Sequence, residues 1–322
     1  MNSLPSGAFS RRSLLGLGLG SASLLLGACA SPDMNSHSAS HNALRSAPPV
    51  QIPGSHQLDM RDAASGLVWR IFVQVPDAPA PAGGYPVLYL LDGNASFVTA
   101  AQIARNTGNR PAALRKDPLL VVGIGYPIDG AMDQEARKRD YTPPPATEAG
   151  TGGAEVFLDF IEKQLQPAVR AAWSIDPARQ TLFGHSLGGL LTVHALVTRN
   201  PLFSRYAAAS PSLWWNSAQE LQTIEQWIAK GAPTTSGNVQ LQLRVGSRER
   251  AKRNETDPAR AAKAAERRMN EHVETLAERL TALKRPQLQV DFKELQGADH
   301  GGTLAPSLIE AITLAQAREE RE

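Results

Sequence analysis

The chain has 322 residues, 42% hydrophobic and 20% charged, a net charge of +2 and a single cysteine. That composition is globular, with room for one large or two small domains. The small net charge excludes the strong basic field of a nucleic-acid binder. One cysteine, Cys29, excludes a disulfide within the chain, so the fold must rest on its core.

Residues 1–28 read as an export signal and stay outside the fold. Arg11-Arg12 precedes an apolar run rich in Leu and Gly, which ends in Leu26-Gly27-Ala28-Cys29. A twin arginine directs export across a bacterial inner membrane. The run 14–28 is too short and too glycine-rich to span a bilayer comfortably. Its end resembles a lipoprotein cleavage site. That resemblance implies Cys29 as a lipidated N-terminus and a periplasmic protein held to a membrane by a lipid anchor. Residues 29–49 are rich in Ser, Ala and Pro with almost no large apolar side chains, and read as a flexible tether.

Residues 50–322 alternate strand and helix signals. "HQLDMRD" and "SGLVWRIFVQVP" (65–76), with a Gly-containing turn between, predict a hairpin. Continuous apolar runs follow at 85–93, 117–127, 179–186, 205–212, 239–247 and 288–295. Runs of this kind are strands buried on both faces, the mark of a parallel sheet covered by helices. The segments between them are long enough for crossovers. Helices are predicted over 153–172 and over 257–284, the latter opening on Asp257 as N-cap and Pro258 at the first helical position. The prediction is one α/β domain of about eight strands with no internal repeat.

The chemistry centres on "TLFGHSLGGLLTVHALV", where Gly184, Ser186 and Gly188 form G-x-S-x-G between a short apolar strand and a buried helix. The bare motif is common by chance. In this context it reads as a strained turn that presents the Ser186 hydroxyl above the sheet edge, with a helix N-terminus aimed at the same point. A serine hydroxyl needs a base. His37 and His41 fall in the tether, His56 precedes the first strand, His194 sits mid-helix among apolar residues, and His272 lies on a charged helix. His300, in "LQGADHGGTL" after the last strand, has the position that the chain order Ser, acid, His demands. For the acid, "LRVGSRERAKRNETDPAR" offers Glu249, Glu255 and Asp257. Glu249 is nearest the strand end, Glu255 is the runner-up, and Asp257 serves as a helix cap. An oxyanion site needs two backbone donors. These are expected at Leu187 and, in the loop "LLDGNASF", at Asn94, with Asp92 holding that loop.

These motifs, with "AAASPSLWWN" and "RKRDYTP", resemble the "Putative esterase" family of α/β-hydrolases, and within it the siderophore trilactone esterases of the enterobactin and bacillibactin type. The likeness spans nearly everything after residue 50. It implies an α/β-hydrolase fold, with a mostly parallel eight-stranded sheet and helices on both faces. It implies a serine esterase acting through an acyl-enzyme, with Ser186 as nucleophile, His300 as base, and Asn94 and Leu187 as oxyanion donors. It leaves the acid open, because this branch includes members that use a Ser–His pair alone. It implies no metal and no cofactor.

The residues agree with an anionic aromatic substrate such as a ferric catecholate siderophore. Between 243 and 268 stand nine Lys or Arg against four Asp or Glu. Arginine pairs with such charge and stacks on rings. Arg248 and Arg250 are candidate substrate ligands, as are Trp214 and Trp215 in "SPSLWWN", though core packing or a solvated face explains each equally well alone. The polar loop 129–154 is expected to be a functional edge or mobile lid. The expected enzyme is a monomer. The neighbouring expectations are an esterase for acetyl, feruloyl or acyl-thioester groups, an acyltransferase on the same fold, or an inactive ligand-binding lipoprotein.

Overall fold

A computed structural model describes residues 43, 45–146, 148–199, 202–231, 237–250 and 256–318. The export signal, Cys29 and Glu255 lie outside the described residues. The chain divides into two units, Met1–Val50 and Gln51–Glu322. Of the first, only a few residues at its end are described, and they are exposed.

The second unit is built on an eight-stranded sheet: β1 (Ser55–Arg61), β2 (Val68–Gln74), β3 (Tyr85–Leu90), β4 (Leu120–Gly125), β5 (Ile175–His185), β6 (Arg205–Ala209), β7 (Val239–Gly246) and β8 (Leu288–Leu295). The order is β1-β2-β4-β3-β5-β6-β7-β8. The first two strands form the expected antiparallel hairpin, and β2 runs antiparallel to β4. All other pairs are parallel. The central strands β3 and β4 are buried at every residue, as their unbroken apolar sequence requires.

Alternate residues of these strands feed two separate cores. Leu88, Leu90, Val121 and Phe183 pack against helix α1 (Gly93–Gly108) and helix α9 (Leu304–Gln316) on one face. Val87, Tyr89, Val122 and Leu182 face the other way. There they join helices α3 (Ala154–Phe160), α4 (Gln166–Ala172), α5 (Leu187–Thr198), α6 (Trp215–Ala229) and α8 (Met269–Ala282). The period of two along a strand thus divides one apolar run between two layers.

Two predicted helices differ in detail. The span 153–172 forms α3 and α4 joined by a π-helical turn, Ile161–Leu165. The span 257–284 is two helices, α7 (Pro258–Arg267) and α8, broken at Arg268, which is left-handed with φ 44°. Asp257 does cap the start, accepting from Ala259 N at 3.0 Å. The polar span 129–154 is partly helical. It contains helix α2 (Gln134–Tyr141), capped by Asp133, with Arg137, Asp140 and Tyr141 buried.

His194 on α5 is buried between two carboxylates. Its Nδ1 lies 3.0 Å from Glu220 of α6 and its Nε2 lies 2.8 Å from Glu155 of α3. Burial opposes its charge, but the two carboxylates outweigh burial and raise its pKa to about 9. The ring therefore joins three helices as an imidazolium. The folded value exceeds the unfolded one, so this stabilisation is complete below about pH 6.5 and lost as pH rises through 9. It amounts to about 2 kcal/mol at neutral pH. We expect His194→Gln to destabilise the protein at pH 7 and to cost much less at pH 10, measured by denaturant unfolding of both proteins. An equal difference at both pH values would contradict this assignment.

Candidate active site

The strand order reverses between β3 and β5, which are parallel neighbours in register at Leu90 and Phe183. In open α/β sheets the crevice beyond the carboxyl ends of such strands receives ligands. Both strands here end in a glycine-containing turn that leads directly into a helix.

The turn after β5 carries Ser186. Its backbone has φ 61° and ψ −119°, a conformation that L-residues rarely adopt. The strain is held by three backbone bonds: Ser186 N donates to Ala209 O, and Ser186 O accepts from Leu190 N and Ser212 N. Gly184 has no substitute here, because a Cβ would lie 2.2 Å from Gly188 O. The tight turn lifts the hydroxyl off the sheet edge.

Ser186, Glu249 and His300 meet although 114 positions separate the first from the last of them in the sequence and they follow three different strands, β5, β7 and β8. Ser186 Oγ lies 2.9 Å from His300 Nε2, and His300 Nδ1 lies 2.6 Å from Glu249 Oε2. A carboxylate only accepts, so Nδ1 carries the proton and Nε2 is the acceptor for the Ser186 hydroxyl. Glu249 is 5% exposed and His300 39%. Burial opposes the charge on Glu249, but bonds from His300, Ser210 and the Gly246 N–H outweigh it and keep its pKa below the ordinary range. Asp257 caps α7 instead.

Leu187 and Asn94 occupy the first turns of α5 and α1, where N–H groups have no acceptor inside the helix. Among the described residues neither has a backbone acceptor elsewhere. The Asn94 side chain is spent on the adjoining loop: Oδ1 accepts from Tyr126 N and Nδ2 donates to Tyr126 O. Asp92, left-handed at φ 53°, holds the turn as expected. Arg137 of α2 grips both its carboxylate oxygens at 2.9 and 3.0 Å, and Asp92 N donates to the Tyr141 hydroxyl at 3.0 Å. The "RKRDY" segment thus anchors the Asn94 turn from beneath.

A cavity of about 500 Å³ opens beside His300, lined by Arg248, Glu249, Lys263, Arg267, Asp299 and neighbours. Lys263 and Arg267 stand four apart on α7 and share a face. The Arg267 guanidinium lies 4.1 Å from the Trp214 ring centroid. Among the described residues, no carboxylate pairs with Arg248, Lys263 or Arg267. Of the predicted substrate residues, Arg248 lines this cavity and Arg250 does not. Arg250 is turned into Glu271, Glu274 and Glu294, so its charge is already neutralised. Trp214 contributes by holding Arg267, whereas Trp215 lies in a separate small cleft with Pro143 and Leu190. Sequence reasoning did not single out Lys263 or Arg267 within the basic run. It also missed His185, Ser210 and Thr303, which surround the His300–Glu249 pair; the only signal for His185 was its place inside G-H-S.

Sheet order, turn geometry and the Ser–His–Glu alignment define an α/β-hydrolase. The comparisons agree. The family model described as "Putative esterase" matches residues 64–282. The ferri-bacillibactin esterase BesA of Bacillus subtilis is 32% identical over 275 residues, covering 82% of this chain and 90% of that protein. The siderophore triacetylfusarinine C esterase of Aspergillus fumigatus is 35% identical over 280 residues, 83% of this chain and 94% of its own. The crystal structure of the BES protein from Bacillus cereus matches with a TM-score of 0.75 at 32% identity, covering 84% of this chain and 98% of that one. The chain belongs to the "Putative esterase" family and is a carboxylic ester hydrolase.

Proposed function

We propose that this enzyme hydrolyses the ester bonds of an anionic siderophore, best fitted by a ferric catecholate trilactone. The observation that carries the reading is the cavity beside His300, where Arg248, Lys263 and Arg267 outnumber Glu249 and Asp299 and form no ion pair among the described residues. Siderophore esters are the named substrates of the relatives above. Cationic side chains in a cleft raise the local concentration of an anionic substrate and turn its ester toward the nucleophile.

In this reading Ser186 Oγ attacks the ester carbonyl while His300 Nε2 takes its proton. Glu249 stabilises the imidazolium through Nδ1–H. The N–H groups of Leu187 and Asn94 bind the oxyanion. His300 then protonates the leaving alkoxide, which leaves an acyl-enzyme on Ser186. Water, activated by the same imidazole, releases the acid.

A panel of esters tests the substrate. Ferric catecholate trilactones are expected to have a higher kcat/KM than short p-nitrophenyl esters, with an advantage that shrinks as salt rises. With each screened pair worth about 1 kcal/mol, replacing Lys263 and Arg267 by Gln together lowers kcat/KM for the trilactone roughly thirtyfold. The neutral ester is left almost unaffected. Cleavage of p-nitrophenyl esters with trilactones untouched would reduce the reading to a general esterase.

We also propose that the twin arginine exports the enzyme and that Cys29 carries a lipid, so that hydrolysis takes place in the periplasm. Cys29→Ser should move the protein from the membrane fraction to the soluble one. Unchanged membrane association would contradict lipidation at that residue.

A further inference from the structure

Behind His300 and Glu249 runs a set of hydrogen bonds that the proposed mechanism does not use. The His300 carbonyl oxygen lies 2.8 Å from His185 Nε2 and 2.8 Å from Thr303 Oγ1. Thr303 Oγ1 is also 2.8 Å from Ser210 Oγ, which lies 2.6 Å from Glu249 Oε1. Ser210 and Thr303 are buried, so water does not complete these contacts for them.

The protons decide how this set works. A carboxylate and a carbonyl only accept, and each hydroxyl holds one proton. The Ser210 proton goes to Glu249, the charged acceptor. The Thr303 proton then serves either Ser210 or the His300 carbonyl, but not both. His185 removes the conflict. Its Nε2–H satisfies the carbonyl and frees Thr303 to donate to Ser210, which strengthens the bond from Ser210 to Glu249.

We propose that His185 is a positioning residue for the base. Its Nε2–H fixes the main chain of His300 and completes the chain Thr303–Ser210–Glu249, so that one imidazole reaches Ser186 and Glu249 together. The inference rests on the Ser–His–Glu reading above. His185 ends β5, next to Ser186, and so ties the nucleophile's strand directly to the loop after β8 that carries the base. The two imidazoles lie 4.8 Å apart. Burial, and secondly the charge of the adjacent His300 ring, lower the pKa of His185 to about 4, against the opposing pull of its bond to the His300 carbonyl and of Glu249 and Asp92. It therefore stays neutral at working pH and does not compete for the proton that His300 takes up.

His185→Phe keeps ring volume and loses the donor, whereas His185→Gln keeps an N–H at similar reach. With a neutral p-nitrophenyl ester, His185→Phe is expected to lower kcat about ten- to a hundredfold with KM unchanged. His185→Gln restores most of the lost kcat. Should the Phe variant not fold, His185→Asn has an amide too short for the carbonyl and is expected to show the same losses. A folded Phe or Asn variant with wild-type kcat would overturn the proposal. Labelling of the wild type by a fluorophosphonate separates the two readings. No adduct on Ser186 refutes the Ser–His–Glu mechanism itself, whereas equal labelling rates in wild type and His185→Phe refute only the role of His185.

Discussion

Ser186→Ala abolishes most ester hydrolysis, lowering kcat by about a thousandfold or more while leaving the fold intact. The expectation follows from the geometry. The Ser186 hydroxyl is the group 2.9 Å from His300 Nε2, on a turn held at φ 61°. Ser212 Oγ lies 3.4 Å from Ser186 Oγ and is buried, and its backbone is fixed by its own bond to Ser186 O. It does not replace the missing nucleophile. The small alanine side chain fits the same turn, so circular dichroism and thermal unfolding should match the wild type closely. Most of the activity surviving in a folded Ser186→Ala protein would refute covalent catalysis at this residue.

Glu249→Gln is expected to cost about a thousandfold or more in kcat, through the tautomer of His300 rather than through lost packing. Glu249 Oε1 accepts from both Ser210 Oγ and Gly246 N. In the variant the carboxamide oxygen takes that place, because only an acceptor satisfies those two donors. The amide NH₂ then faces His300 Nδ1 and donates to it. The imidazole proton is forced onto Nε2, where it points at Ser186 and blocks proton removal. Asp257→Asn, at the cap of α7, should leave kcat nearly unchanged. A folded Glu249→Gln protein with near wild-type kcat would show that Ser186 and His300 act as a pair without this acid.

Much of this site was legible in the chain. The apolar run before Ser186 and the glycines around it belong to one local turn, so their geometry follows from adjacent residues. His300 and Glu249 were legible through chain order, since each follows a recognisable strand. The cradle of His185, Ser210 and Thr303 was not, because all but one of its bonds join residues about 40 to 115 positions apart. Arg250 shows the same limit. Its neighbour Arg248 reaches the cavity, and nothing local indicates that three glutamates from α8 and β8 capture Arg250 instead. Helix α2 was hidden for a different reason. Its inward face is Arg137, Asp140 and Tyr141, whose burial depends on Asp92 and on Trp69, the donor to Asp140 at 2.7 Å, so no apolar period marks it. Within 257–284 the apolar stripe runs through unbroken, yet Arg268 turns left-handed and separates α7 from α8. That break leaves Lys263 and Arg267 at the cavity while Met269, Val273 and Leu276 enter the core.

The most direct test of the account is rapid acid quench of the enzyme with a ferric catecholate trilactone, followed by mass spectrometry of the Ser186 peptide. The account predicts that the ring-opened acyl chain appears as added mass on Ser186 within the first turnover, then decays as the linear product accumulates. Trilactone hydrolysis at full rate with no mass on Ser186 at any time, or no hydrolysis of the trilactone at all, would contradict it.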